Sequence, residues 1–267
     1  DVTRPVEPPT SLSRYDMSSI AILPFADLSP GKDQEYLCDG MTDELITALT
    51  KVEGLRVVAQ ASSLQFKGRG EDLRQVGEQL RVGTVLKGSV RKAGNKLRLT
   101  VQLVYVPDGT YLWSETYERE MKDLFIVQEE ISRAIVQKLR IQLAGEQRLR
   151  LIRPYTENSE AHNLHLKGRY YWNQRTEEGL RKSVDCFEQA ILQDSNFAPA
   201  YAALADSHAL IASYGLLPPK EVMPKAKAAA IKALQIDDTL AEAHASMAFV
   251  QSFYEWDWVE AERAYRR

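Results

Sequence analysis

The chain has 267 residues, of which 44% are hydrophobic and 27% are charged, with a formal net charge of −3. This length suits about two packed domains, and the composition excludes disordered and collagen-like chains. No uncharged stretch approaches the roughly 20 apolar residues of a membrane span, and there is no basic excess to attract nucleic acid. We therefore expect neither a membrane span nor nucleic-acid binding in this chain.

Residues 1–17 contain Pro, Ser and Thr without periodicity and are predicted to form a linker. Residues 18–145 are predicted to form an α/β domain with the order β-α-β-α-β-β-β-α, because the apolar period identifies each element in turn. Gly94-Asn95 and Asp108-Gly109 are hairpin signals that separate the last three strands. The predicted elements are a strand over 20–25, a helix over 41–52, a strand over 55–59, a helix over 73–80, strands over 85–91, 97–105 and 111–117, and a helix over 124–139. We expect a mixed sheet with helices packed against it.

After a connector over 146–158, residues 159–267 show only helical periodicity, together with an internal repeat. The segment 187–197 is echoed 43 positions later by the segment 230–240. The echo predicts repeated helical hairpins, so we expect an all-α repeat domain of about two and a half units.

The repeated unit resembles the tetratricopeptide repeat, in which small residues let paired helices pack closely. A new helix opens with Ala-x-Ala after each echo, at Ala198 and at Ala241. The chain departs from the repeat pattern at Ser195 and Asp238, which stand where the closing proline is usual.

The ends and the cysteines say little about the compartment. The chain begins with Asp1 rather than Met and stops at Arg267 within its third repeat, so we expect a piece of a longer protein. Cys38 and Cys186 fall in different predicted domains and are expected to be free thiols. Few cysteines suit the cytoplasm and the periplasm alike, so both compartments stay open.

Several motifs of the α/β domain together resemble the amino-terminal domain of TolB. They are the segments 19–25, 35–46, 66–68, 86–91 and 112–115. In bacteria this domain often stands beside tetratricopeptide repeats, downstream of a class III adenylate cyclase, a winged-helix regulator of the CadC kind or a Ser/Thr kinase. The resemblance implies a sensory or partner-binding part of a bacterial signalling protein, with an output domain before residue 1. It carries over no catalytic residues.

The residues offer no constellation for catalysis. No histidine precedes His162, so the α/β domain lacks a histidine base, and no glycine-rich phosphate loop is present. His162 and His165 share a helix face, but no acidic or cysteine partner stands at a metal-ligand spacing in that helix. We predict a protein that is not an enzyme and that has no cofactor and no metal.

The repeats supply the first candidate site, a groove for an extended segment of a protein partner. The resemblance places eight residues there, on the first helix of each repeat. They are His162, His165, Arg169, Trp172, Asn173, Asp206, Phe249 and Phe253. In this hypothesis the α/β domain relays a signal or acts as a scaffold, and a homodimer is a further candidate assembly.

The second candidate site is a small cleft between the end of the first strand and the following helix, where backbone amides can attract an anion. Its predicted ligand-binding residues are Phe25, Asp27, Gly40 and Thr42. It supports an alternative function as a small-molecule sensor. A structural component of the cell envelope is a third hypothesis.

A third surface is basic. Arg91, Lys92, Lys96 and Arg98 cluster around one predicted hairpin and could touch an acidic partner, although exposed hairpin ends commonly carry such charges.

Overall fold

The computed structural model describes residues 17–69, 72–94, 96–120, 124–139 and 155–267. The chain divides into two compact units, the first ending at Arg153 and the second beginning at Pro154. The first contains a mixed sheet with helices, and the described part of the second is helical, which confirms the predicted fold class. The linker predicted over 1–17 lies outside the described residues except for residue 17, and so does the connector predicted over 146–158 except for residues 155–158.

Six strands form the sheet of the first unit. They are β1 (Ser19–Ile22), β2 (Ala26–Asp27), β3 (Arg56–Val57), β4 (Thr84–Ala93), β5 (Lys96–Tyr105) and β6 (Thr110–Glu120). The strand order is β3-β1-β4-β5-β6, and β2 also pairs with β4. Strand β1 runs parallel to β3 and β4, whereas β4, β5 and β6 form an antiparallel meander. Gly94 and Gly109 adopt the positive φ angles that the predicted hairpin turns require.

Four helices accompany this sheet among the residues that the structure describes. They are α1 (Glu35–Thr50), α2 (Gln60–Leu64), α3 (Leu73–Leu80) and α4 (Leu124–Lys138). Helix α1 begins six residues before the predicted start, because Leu37 and Cys38 already belong to its buried face. Strand β3 has two residues rather than five, and α2 follows it at once. Strand β2 and helix α2 have no counterpart in the prediction.

Strand β1 is buried along its whole length, as its continuous apolar sequence predicts. Directly after it, Phe25 packs against Gly88 of β4 so closely that a Cβ atom built on this glycine would lie 2.5 Å from the aromatic ring. Glycine at position 88 therefore gives Phe25 its place on the sheet, and this fixes the segment that leads to α1.

The second unit contains six helices in its described residues. They are α5 (Ser159–Asn173), α6 (Glu177–Gln193), α7 (Ala198–Ser213), α8 (Pro219–Ile236), α9 (Ala241–Val250) and α10 (Trp258–Tyr265). A π-helical turn, Gln251–Glu255, extends α9. Helix α5 packs against α6 and α7 against α8, whereas α9 contacts α7, α8 and α10. Side-chain caps begin three of the helices, at Asn158, Thr176 and Asp257.

Small residues bring these helices together. A Cβ atom on Gly168 of α5 would lie 2.4 Å from the ring of Phe187 on α6. Between α6 and α7, the hydroxyl groups of Ser183 and Ser207 are 3.0 Å apart and buried. Cys38 and Cys186 are free thiols, as predicted.

Replacing Gly168 should destabilise the helical unit. In Gly168→Ala the new methyl group collides with the ring of Phe187, so we expect a loss of about 1–3 kcal/mol in the free energy of unfolding, although alanine favours a helix. Urea unfolding followed by circular dichroism measures this loss. The control is Glu188→Ala, an exposed change on α6 that should stay within about 0.5 kcal/mol of the parent. Equal stability of the two variants would contradict the close contact.

Candidate functional site

The structure brings the four residues of the predicted cleft together between β1 and α1. The backbone N–H of Phe25 donates to the Thr42 hydroxyl at 3.1 Å, and this hydroxyl donates to the Cys38 carbonyl at 2.8 Å. Phe25 is 2% exposed and Thr42 1%, and Gly40 is buried within α1. The hydroxyl group of Thr42 therefore joins the segment after β1 to the helix.

Asp27 has a similar local role. Its carboxylate accepts the N–H of Ser29 and the N–H of Gln34, both at 2.8 Å. Burial by itself would raise the pKa of Asp27, but these hydrogen bonds and the charge of Lys32 outweigh it and lower the pKa. The Ser29 hydroxyl in turn accepts the N–H of Lys92 at 3.0 Å. Asp27 thus fixes the loop before α1, and the ligand-binding role of the four residues stays a prediction.

In the helical unit, the helices α5, α7 and α9 carry the predicted partner site, and we call their polar and aromatic residues the first-helix surface. The guanidinium carbons of Arg169 and Arg175 lie 5.2 and 3.6 Å from the ring centroid of Trp172. On α7, Asp206 accepts a hydrogen bond from the hydroxyl of Ser246 on α9. Burial raises the pKa of Asp206, while the Ser246 bond and the charges of Arg169 and Arg175 act against that rise. Arg169, Trp172 and Asp206 therefore form one cluster.

The remaining predicted partner residues differ in their surroundings. The ring of His165 lies 5.6 Å from that of Phe187 and 5.1 Å from that of Phe197, and burial holds its pKa well below the usual value. The ring of His165 therefore packs against the helical core, although the residue as a whole is half-buried, and His162 is buried. The other predicted residues are Asn173, Phe249 and Phe253. Asn173 is exposed, and the rings of Phe249 and Phe253 stack with their centroids 4.5 Å apart.

Buried polar atoms without a hydrogen-bond partner mark the same helices. In the described part of the second unit these atoms are Asn163 Oδ1, His165 Nδ1, Trp172 Nε1, His208 Nδ1 and Gln251 Oε1. All five belong to α5, to α7 or to the π-helical turn that extends α9. Buried polar groups are normally satisfied, so such a set calls for an explanation.

Sequence reasoning missed two members of the cluster. Arg175 lies in the turn after α5 with a positive φ, and its position over Trp172 depends on that turn. Ser246 meets Asp206 only because α7 and α9 are neighbours. The spacing of three residues between Trp172 and Arg175 is the only sequence signal that points to either of them.

Two searches of the described residues returned nothing. No group of three or more His, Cys, Asp or Glu side chains among them could hold a metal ion. None of the helices described is both long enough and apolar enough to span a membrane.

Comparison of the sequence with known proteins gives two matches. Residues 16–137 match the family model described as "HilA/YgeH-like transcriptional regulator, second domain". The chain is also 38% identical over 200 residues to a protein of Rhizobium meliloti strain 1021 named "Putative adenylate cyclase 3". This match covers 74% of the chain but 34% of the relative, so the chain spans about a third of that protein's length.

Comparison with solved structures gives partial likenesses. The LpoB C-terminal domain from Salmonella enterica aligns with 16% identity and a TM-score of 0.34, over 40% of this chain and 84% of that domain. TolB from Acinetobacter baumannii aligns with the same identity and TM-score, over 45% of this chain and 28% of that protein.

The hydrogen bond between Phe25 and Thr42 can be tested by two substitutions. Thr42→Val keeps the shape but leaves the buried N–H of Phe25 without a partner, so we expect a loss of about 2–3 kcal/mol. Thr42→Ser keeps the hydroxyl and should lose about 1 kcal/mol. Urea unfolding gives the free energies, and amide hydrogen exchange should be faster at Phe25 in the valine variant alone. Equal costs for the two variants would refute the bond.

Acidification should weaken the helical unit through His208, which is 6% exposed. Burial, aided by the charge of Lys225, lowers the pKa of His208 to about 4, whereas an unfolded histidine has a pKa of about 6.5. Below pH 6.5 the unfolded chain binds the proton first, so stability is full above pH 6.5 and falls toward pH 4. As the pH is lowered from 6.5 to 4, the free energy of unfolding should therefore fall by about 2–3 kcal/mol more in the parent than in His208→Gln. Parallel pH profiles would exclude the effect.

Proposed function

We propose that this chain is a non-catalytic regulatory part of a bacterial signalling protein. Its helical unit consists of tetratricopeptide-like repeats that bind a segment of a protein partner along the first-helix surface. The α/β unit is a scaffold or relay between this surface and an output domain that precedes residue 1. The match of residues 16–137 to a domain of transcriptional regulators supports a regulatory role, as does the relative named as an adenylate cyclase.

The packing of the helices supports the repeat assignment. Helices α7 and α9 begin at Ala198 and Ala241, the two positions at which the sequence repeat opens. Gly168 and Ala205 are buried small residues at matching places in the first two units. Each unit joins two helices by a short turn, which is the arrangement of a helical repeat.

The arginine side chains beside Trp172 carry the proposal of a peptide ligand, because Arg175 is exposed and can reach a bound segment. The cationic groups of Arg169 and Arg175, held against Trp172, favour an acidic side chain or a terminal carboxylate in that segment.

The titratable groups of the α/β unit support a non-catalytic role. Burial, followed by the charges of Asp27 and Asp39, raises the pKa of the Cys38 thiol to about 12, so this thiol is a poor nucleophile. Lys67 is bound by Glu35 at 2.8 Å and by Asp39 at 2.9 Å. Such an ion-pair cluster has a structural explanation. The small-molecule sensor and the envelope component stay predictions from the sequence.

The proposal predicts that a partner depends on the first-helix surface. The chain, immobilised and exposed to a bacterial lysate, should enrich a protein that Arg169→Gln and Phe253→Ser each reduce by about fivefold or more. Quantitative mass spectrometry measures the enrichment. The protein found must then bind the purified chain, with the same loss of affinity in the two variants.

The matched control is Leu192→Ser, because Leu192 is 83% exposed on the second helix α6. It removes an exposed apolar side chain, as Phe253→Ser does at a side chain that is 61% exposed. If Leu192→Ser reduces the enrichment of the partner as well, or if neither Arg169→Gln nor Phe253→Ser reduces it, the binding surface lies elsewhere.

A further inference from the structure

One face of the sheet is exposed or half-buried at the end of the β4–β5 hairpin. Strand register places Ser89, Thr100 and Thr116 in one row across β4, β5 and β6. In the next row Arg91 lies directly opposite Arg98, and Arg98 lies opposite Glu118. Side chains alternate along a strand, so Lys87 shares this face with Ser89 and Arg91. We call these seven residues the open face.

The charge of the open face is positive. Residues 87–98 contain five Lys or Arg side chains and no carboxylate. Arg98 Nε lies 3.5 Å from Glu118 Oε1 in an exposed pair, which offsets part of the charge of Arg98. Arg91 has no ion pair among the described residues, and the Lys87 ammonium lies 5.7 Å from the ring centroid of Tyr111. The β4–β5 hairpin is thus a local cationic surface on a chain whose net charge is negative.

The pairing of Arg91 with Arg98 is unfavourable by itself. Residues directly opposite in an antiparallel pair have Cβ atoms about 5 Å apart, and like charges at this distance destabilise the sheet. An anion bound between the two guanidinium groups would relieve the repulsion and accept several hydrogen bonds. One carboxylate or phosphate group could therefore bind between Arg91 and Arg98.

The neighbouring row distinguishes between these anions. The hydroxyl groups of Ser89, Thr100 and Thr116 can both donate and accept hydrogen bonds, and those of Thr100 and Thr116 are 3.4 Å apart. A peptide backbone complements them with N–H and C=O groups, whereas phosphodiester oxygens only accept. From Arg91 to Lys87 the strand advances four residues, which is about 13 Å. An extended peptide covers this distance in four residues as well.

We propose that the open face binds an extended acidic segment of a protein partner. One carboxylate lies between Arg91 and Arg98, and a second one, four residues away along the segment, lies at Lys87. The proposal concerns the α/β unit and is independent of the partner site on the helical unit.

Fluorescence anisotropy with two labelled peptides tests the spacing. Both peptides contain Ser, Thr and two Glu residues, which are four positions apart in one peptide and adjacent in the other. The purified chain should bind the spaced peptide more tightly, and Arg91→Gln/Arg98→Gln should weaken this binding about tenfold at low ionic strength. Lys138→Gln, which removes an exposed charge from α4, should leave the affinity unchanged.

A stability measurement separates this role from a structural one. Since Arg91→Gln removes the repulsion, it should raise the melting temperature by about 1–3 °C while it weakens peptide binding. Equal affinity for the two peptides, an equal loss in Lys138→Gln, or a lower melting temperature in Arg91→Gln would each overturn the proposal. Tighter binding of a single-stranded oligonucleotide of equal charge, lost in the double variant, would assign the face to nucleic acid instead.

Discussion

Both units depend on the same close contact, in which an aromatic ring lies directly on a glycine of a neighbouring element. In the α/β unit Phe25 lies on Gly88, and in the helical unit Phe187 lies on Gly168. Each contact excludes a Cβ atom and sets the distance between two elements. The first one positions the segment between β1 and α1, where Asp27 and Thr42 then make their hydrogen bonds. The second brings α5 and α6 together beneath the first-helix surface.

The meander of β4, β5 and β6 could be predicted from the sequence because local signals define it. Its apolar residues alternate with period two, and glycines mark both turns. Strand β2 was missed and β3 was predicted too long, because a strand of two residues carries no period. Their existence depends on pairing with β4 and β1, which are distant in sequence. Helix α1 starts early for a related reason, since Leu37 is buried only by tertiary contacts.

The candidate sites show the same limit. A polar residue near a helix start, such as Thr42 or Asp27, has the same sequence pattern whether it binds a ligand or a backbone N–H. Only the folded chain shows that backbone groups occupy both. Conversely, the cluster of Trp172 with Arg175 and the contact of Ser246 with Asp206 follow from a turn and from helix packing. The sequence placed Arg169, Trp172 and Asp206 on the first helices through the repeat pattern, and the structure brings them together.

The loop before α1 has a mechanical consequence. Ser29 accepts the Lys92 N–H at the end of β4, its own N–H binds Asp27, and Asp27 also binds the N–H of Gln34 at the start of α1. These three hydrogen bonds connect the tip of the β4–β5 hairpin to the first turn of a helix 16 residues long. A force applied to the hairpin tip is therefore borne at α1 through a path that bypasses the centre of the sheet.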